Sequence, residues 1–253
     1  MIEGLRDKVV IVTGGGMGIG KVYAQAFAEQ GAKVVAADIN FDAAKKVAEE
    51  LNKKGKKILA VDVDISNQES VSRMVQETVK TFGGVDVLVN NASLMSALPR
   101  GPWHEIPVSV WDKVMAVNVR GTFLCCLAVF PYMKERGKGK IVNISSGRIW
   151  DGTPNRLHYT TSKSALIGFT RSLAREVGDF NISVNVITPG FTESDTQVAT
   201  TKPEYLKALN DKRCFKRQQV PDDLVGTVLF LASSGSDFIT GQTINVDGGF
   251  MMH

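Results

Sequence analysis

Cysteine and histidine are scarce in this sequence, three of each among 253 residues. Cys125, Cys126 and Cys214 make neither a CxxC pair nor a framework of even number, so a disulfide scaffold and a dithiol redox motif are both excluded. They read as reduced thiols, as expected of a cytoplasmic protein. His104, His158 and His253 are too dispersed to build a metal site, and none is expected. Basic runs are missing too. The net charge of +4 comes from Lys and Arg scattered among Asp and Glu, with pairs such as Lys53-Lys54 and Lys56-Lys57 that read as solvated helix ends. That leaves no electrostatic footprint for nucleic acid. The opening residues are short and charged rather than leader-like, and no apolar stretch is expected to reach the ~20 residues that span a bilayer. Neither nucleic acid nor membrane is an expected partner.

What is present is an ordinary globular composition, 43% apolar and 22% charged. Compact runs rich in Val and Ile recur at 9–12, 34–37, 58–61, 87–89, 141–144, 184–187 and 243–246. Each is apolar at successive positions, as a strand covered on both faces must be. Helical patterns lie between them, for example over 20–30, 43–53 and 70–82. The alternation predicts an α/β fold: a doubly wound, seven-stranded parallel sheet of Rossmann type. No linker or repeat divides the chain, so residues 1–253 read as a single domain. One segment breaks the rhythm. From about 191 to 219 the sequence is polar and irregular, directly after the sixth strand, where open parallel sheets bind ligands. An excursion there is expected to be a substrate lid or loop.

The first strand runs into Thr13-Gly14-Gly15-Gly16-Met17-Gly18-Ile19-Gly20 and then a helix. Glycines in such a turn let backbone approach a pyrophosphate that then sits on the helix N-terminus. Gly14, Gly16, Met17, Gly18 and Ile19 are the candidate contacts. The second strand ends at Asp38, followed by Ile39, at the spacing where an acid meets the adenosine ribose. A carboxylate accepts from the ribose diol but repels a 2′-phosphate, and neither Met17 nor Ile39 supplies a cation. NAD over NADP is the expectation.

Farther along, Tyr159 and Lys163 stand one helical turn apart. A nearby ammonium lowers a phenol's pKa, as a general acid/base for an alcohol requires. Alone such a pair is common on surface helices. Here it opens the helix after a strand that ends in Ser145-Ser146, at the same sheet edge as the glycine turn.

These pieces together with Asn90-Asn91-Ala92, Val117-Asn118-Val119, Pro189-Gly190 and the closing Gly241-Gln242 to Asp247-Gly248-Gly249 resemble the short-chain dehydrogenase/reductase family, over essentially the whole chain. The resemblance implies Tyr159 as proton donor or acceptor, and Lys163 lowering its pKa while holding the nicotinamide ribose. It implies Ser146, thirteen positions before the tyrosine, on the substrate oxygen, and Asn118 holding a water of the proton relay. It also places Asp64 and Ile65 at the adenine, Asn91, Ala92 and Ser93 along the ribose, and Pro189, Gly190, Thr192 and Ser194 at the nicotinamide amide. Ser93 departs from the family's usual Gly, and Ser194 from its usual Thr.

Leu94, Met95, Trp150 and Phe191 are candidate walls of an apolar substrate pocket. Arg148 could clamp a carboxylate but reads first as an exposed or structurally paired residue. Trp103 and Trp111 are expected to pack the helix that carries Asn118, and His158 to take no part. The expected substrate is a secondary alcohol or ketone, apolar and cyclic or aromatic. A 3-oxoacyl thioester reductase is the alternative, and a non-catalytic nucleotide-sensing relative the remote one. The family's common homotetramer is also expected. Two helices carry apolar residues on more than one face, Phe123, Leu124, Leu127 and Phe130 in one, Leu166, Phe169 and Leu173 in the other.

Overall fold

The computed structural model describes residues 2–95, 98–193 and 203–252. Seven strands form one parallel sheet: β1 (Val9–Thr13), β2 (Lys33–Asp38), β3 (Lys57–Asp62), β4 (Val87–Asn90), β5 (Gly139–Ile144), β6 (Ile182–Pro189) and β7 (Thr243–Val246). Their spatial order is β3-β2-β1-β4-β5-β6-β7. The order reverses between β1 and β4, and that switch point opens a crevice beyond the carboxyl ends of the strands.

Side-chain alternation along β1 shows why both faces must be apolar. Val10 and Val12 enter one core with Tyr23 and Phe27 of α1 (Gly18–Glu29) and Leu224 and Leu231 near the C-terminus. Ile11, pointing the opposite way, enters the other core with Met74, Cys125, Val129 and Met133. That second layer holds α3 (Gln68–Phe82) as well. The crossover helices start where short polar side chains take up free N–H groups. Asn40 accepts from Ala43 N at 3.2 Å to open α2 (Phe41–Asn52), and Asn67 accepts from Ser70 N at 2.9 Å to open α3. Gly83, at φ +86°, ends α3 in a left-handed turn that a side chain would strain.

The helical run Val108–Glu135 corrects one expectation. It is long and apolar enough to cross a membrane by length and composition. It consists of α4 (Val108–Met115), one turn of π-helix (Ala116–Arg120) and α5 (Gly121–Glu135). Its apolarity has another cause: Leu124, Cys125, Cys126, Val129 and Met133 are buried against the sheet. After β5 come the short α6 (Arg148–Asp151) and the long α7 (Leu157–Val177), then α8 (Pro203–Lys212) and α9 (Asp222–Ala232).

Candidate active site

A cavity of about 630 Å³ lies over the switch point. Its floor is the end of β1 and the turn into α1. Thr13 Oγ1 accepts from the N–H groups of Asn91 and Ala92 at 3.0 and 3.1 Å, and Asn91 Nδ2 donates to Thr13 O at 3.0 Å. These bonds lock the β4 loop onto the glycine turn. Gly20 is obligatory there, because a Cβ would collide with the Gly14 carbonyl and the Asn91 amide.

Asp38 closes one end, nearly buried at 6% exposure. Its Oδ2 accepts from Gly16 N at 2.9 Å and its Oδ1 from Asn40 N at 2.9 Å. One lone pair on each oxygen remains for a ligand. Gly16 therefore serves the cofactor end indirectly: its N–H is committed to Asp38, and it does not line the cavity. Met17 and Ile39 flank the carboxylate and are exposed. Gly14, Ile19, Asp64, Ile65, Asn91, Ala92 and Ser93 line the same space, as do Pro189, Gly190 and Thr192. Gly18 instead starts α1. Ser194 lies outside the described residues.

At the other end α7 is pinned to β5. Ser145 Oγ donates to Lys163 O at 2.7 Å, and Lys163 Nζ donates to Ile144 O at 2.7 Å. Pinning brings Ser146 and Tyr159 to the same wall, with Lys163 Nζ 5.9 Å from the phenol ring centre. All three line the cavity. Burial raises the Tyr159 pKa, while the Ser146 hydroxyl, Arg148 and Arg156 pull it down. Burial also pushes the Lys163 ammonium down, to about 7.

Asn118 sits in the π-helical turn, buried. Its Oδ1 accepts from Leu94 N at 2.7 Å, and its Nδ2 donates to Ser162 Oγ at 3.0 Å. The side chain thus ties the β4 loop to α7. Leu94, Met95 and Phe191 line the cavity as expected of substrate walls, and Arg148, read first as an exposed or structurally paired residue, lines it as well. Trp150 does not: α6 turns its indole back to the sheet, where Nε1 donates to Thr188 Oγ1 at 3.3 Å. Trp103 is corrected too. It stands 70% exposed in a surface 3-10 turn, edge-on to His104, rather than packed on the Asn118 helix. His158 is buried beside the site, and burial is the main cause that lowers its pKa.

The sequence reading missed Arg100, Arg156, Tyr205, Leu209 and Phe250 among the lining residues. Arg156, three positions before Tyr159 on the lead-in to α7, carried the only usable signal. The expected lid falls partly on residues 194–202, outside the described residues. Of the rest, Arg213 Nη2 donates to Phe191 O at 2.7 Å, and Phe191 meets Tyr205 of α8 edge-on at 6.2 Å. Phe191, Thr192, Tyr205, Leu209 and Arg213 of the segment line the cavity.

A family model described as enoyl-(acyl carrier protein) reductase matches residues 14–251. The chain is 40% identical to a probable galactose dehydrogenase of Rhizobium meliloti, over 97% of this chain and 95% of that protein. It is 37% identical to a hydroxy(phenyl)methylsuccinyl-CoA dehydrogenase subunit of Thauera aromatica, over 97% of this chain. A crystal structure of a 3-ketoacyl-(acyl-carrier-protein) reductase from Brucella melitensis, complexed with NADH, superposes with a TM-score of 0.89 at 32% identity, covering 98% of this chain and 100% of that one. The chain belongs to the short-chain dehydrogenase/reductase family. It is an oxidoreductase with a nicotinamide cofactor, on a seven-stranded parallel Rossmann-type sheet.

Proposed function

We propose that this chain interconverts a secondary alcohol and its ketone, using NAD(H) in preference to NADP(H). The observation that carries the reading is the convergence of Ser146, Tyr159 and Lys163 on one wall of a cavity whose far end is Asp38. The bound dinucleotide supplies the hydride chemistry. The protein's part is to hold the substrate oxygen and move its proton. Ser146 and Tyr159 offer hydroxyls to one point, so a substrate oxygen placed there is held by both. In oxidation the phenol oxygen of Tyr159 accepts the hydroxyl proton, and in reduction it returns it. Lys163 would hold the nicotinamide ribose, and Asn118 would extend the proton path with a water. Asp38 would accept from the adenosine ribose diol. The NADH complex of the Brucella relative agrees with this cofactor choice.

Leu94, Met95, Phe191, Tyr205 and Phe250 give the reacting end an apolar wall suited to a cyclic or aromatic body. The three free thiols suit a reduced cytoplasmic setting. The test is a panel of secondary alcohols with NAD and with NADP, followed by the absorbance of the reduced cofactor. Turnover of 3-oxoacyl thioesters alone would move the assignment to the reductase reading, which the name of the Brucella relative favours.

A further inference from the structure

The reacting end of the cavity is positively charged beyond what proton transfer uses. Arg156 is buried, 8% exposed, and lines the cavity with Tyr159. Its Nη1 donates to Met95 O at 3.3 Å, and its Nε is buried without a hydrogen-bond partner. Arg148 of α6 and Arg100 of the loop after β4 line the same space. Both are close enough to act electrostatically on Arg156, and both oppose its charge. Among the described residues no ion pair joins any of the three to a carboxylate. Asp151, the acid in the same wall, accepts at Oδ1 from Thr153 N at 2.8 Å.

A buried guanidinium without an anion is costly, and like charges beside it add to the cost. A ligand that brings the missing anion recovers that cost on binding. The planar fork of an arginine fits a carboxylate with two parallel hydrogen bonds. We infer that the substrate is a hydroxy acid or its keto acid, its carboxylate held by Arg156 with Arg148 and Arg100 at the rim, while its alcohol oxygen lies against Ser146 and Tyr159. This rests on the alcohol–ketone reading above and narrows its substrate class. Arg156 is then a specificity residue with a second task, since the guanidinium that holds the acid also favours the phenolate of Tyr159.

The test is calorimetric binding to the enzyme–NADH complex, using matched pairs of a hydroxy acid and its methyl ester that share an aromatic or alkyl body and differ in the spacing between hydroxyl and carboxyl. For one spacing the acid should bind about ten- to a hundredfold more tightly than its ester, as a charge-assisted hydrogen bond supplies. Arg156→Gln should collapse that ratio towards one, and Arg156→Lys should keep part of it. NADH titration of each variant reports that the fold is intact. If Arg156→Gln fails to fold, Arg148→Gln and Arg100→Gln should each reduce the ratio. The inference is overturned if no acid binds more tightly than its ester in the wild type, or if the ratio survives all three substitutions. Because binding is read without turnover, these outcomes stand apart from a failure of alcohol oxidation itself.

Discussion

An ammonium buried as Lys163 is holds its proton poorly, even with the Ile144 carbonyl accepting from it. Its pKa falls from 10.5 in the unfolded chain to about 7 in the fold. Between those values the unfolded chain binds a proton that the folded one does not, so stability rises with pH across that window. The penalty is fully present below about 7, on the order of 5 kcal/mol. Lys163→Met removes the penalty but leaves the Ile144 carbonyl unpaired, at about 1–3 kcal/mol. Chemical denaturation from pH 7 to 10 should therefore show wild type gaining stability relative to the variant. A constant difference would mean that the ammonium is not desolvated. Activity gives a second reading at this scale. Tyr159→Phe should leave less than a tenth of kcat, a barrier increase of at least ~1.4 kcal/mol, with NADH binding retained. In the oxidative direction Tyr159 must be deprotonated to accept a proton, so kcat/KM should climb with pH, and it should fall in the reductive direction. Arg148 helps to lower the phenol's pKa, so Arg148→Gln should move that limb to higher pH. The proposed choice of NAD over NADP rests on charge as well, at Asp38. Two anions near 4 Å repel by roughly 4 kcal/mol at an effective dielectric of about 20. A preference for NAD of at least about a hundredfold in kcat/KM follows, and Asp38→Ala should erode it while an arginine in place of Ile39 moves it towards NADP.

At the scale of elements, the five inner strands were readable because they bury both faces and so show as compact Val/Ile runs, and the half-open edge strands β3 and β7 keep enough of that pattern to be found. The glycine turn was readable for steric reasons. Gly20→Ala should weaken NADH binding by tenfold or more in a fluorescence titration, since the new methyl would push the Gly14 carbonyl and the Asn91 amide out of place. What sequence did not show is equally physical. The π-helical turn at Asn118 has no propensity signature, because it is set by the Leu94 and Ser162 bonds it makes. Trp150 and Trp103 have the composition of pocket or core residues, yet a four-residue helix and a surface turn point them elsewhere. Arg156 was hidden because arginine is ordinarily a surface residue, and only the tertiary packing of the α7 entrance encloses it.

For the whole molecule, part of the surplus apolar surface expected from the helices is consumed internally. Leu124 and Leu166 are buried, and Phe130, Phe169 and Leu173 pack against the core beneath α5 and α7. Phe123 and Leu127 on α5 stay open at 48% each, and on the far edge of the sheet Phe238 is wholly exposed. Two separated apolar patches are what a twofold-by-twofold assembly covers. We propose a homotetramer. Light scattering at micromolar concentration should return four times the chain mass, and Leu127→Glu should lower it. A monomer for the wild type would refute the proposal.

Segments far apart in sequence wall one cavity. Gly14 lies in the turn after β1, while Asp247 and Phe250 follow β7, and all three line the same space. Asp247 gathers the last turn around itself, accepting from the N–H groups of Gly249 and Phe250 at 3.0 Å and of Met251 at 2.9 Å. The glycine turn is made by one early segment, but the pocket is walled only once the segment around Asp247 and Phe250 has folded back over the sheet. A dinucleotide that needs that wall adds stability to the folded molecule as RT ln(1 + [L]/Kd).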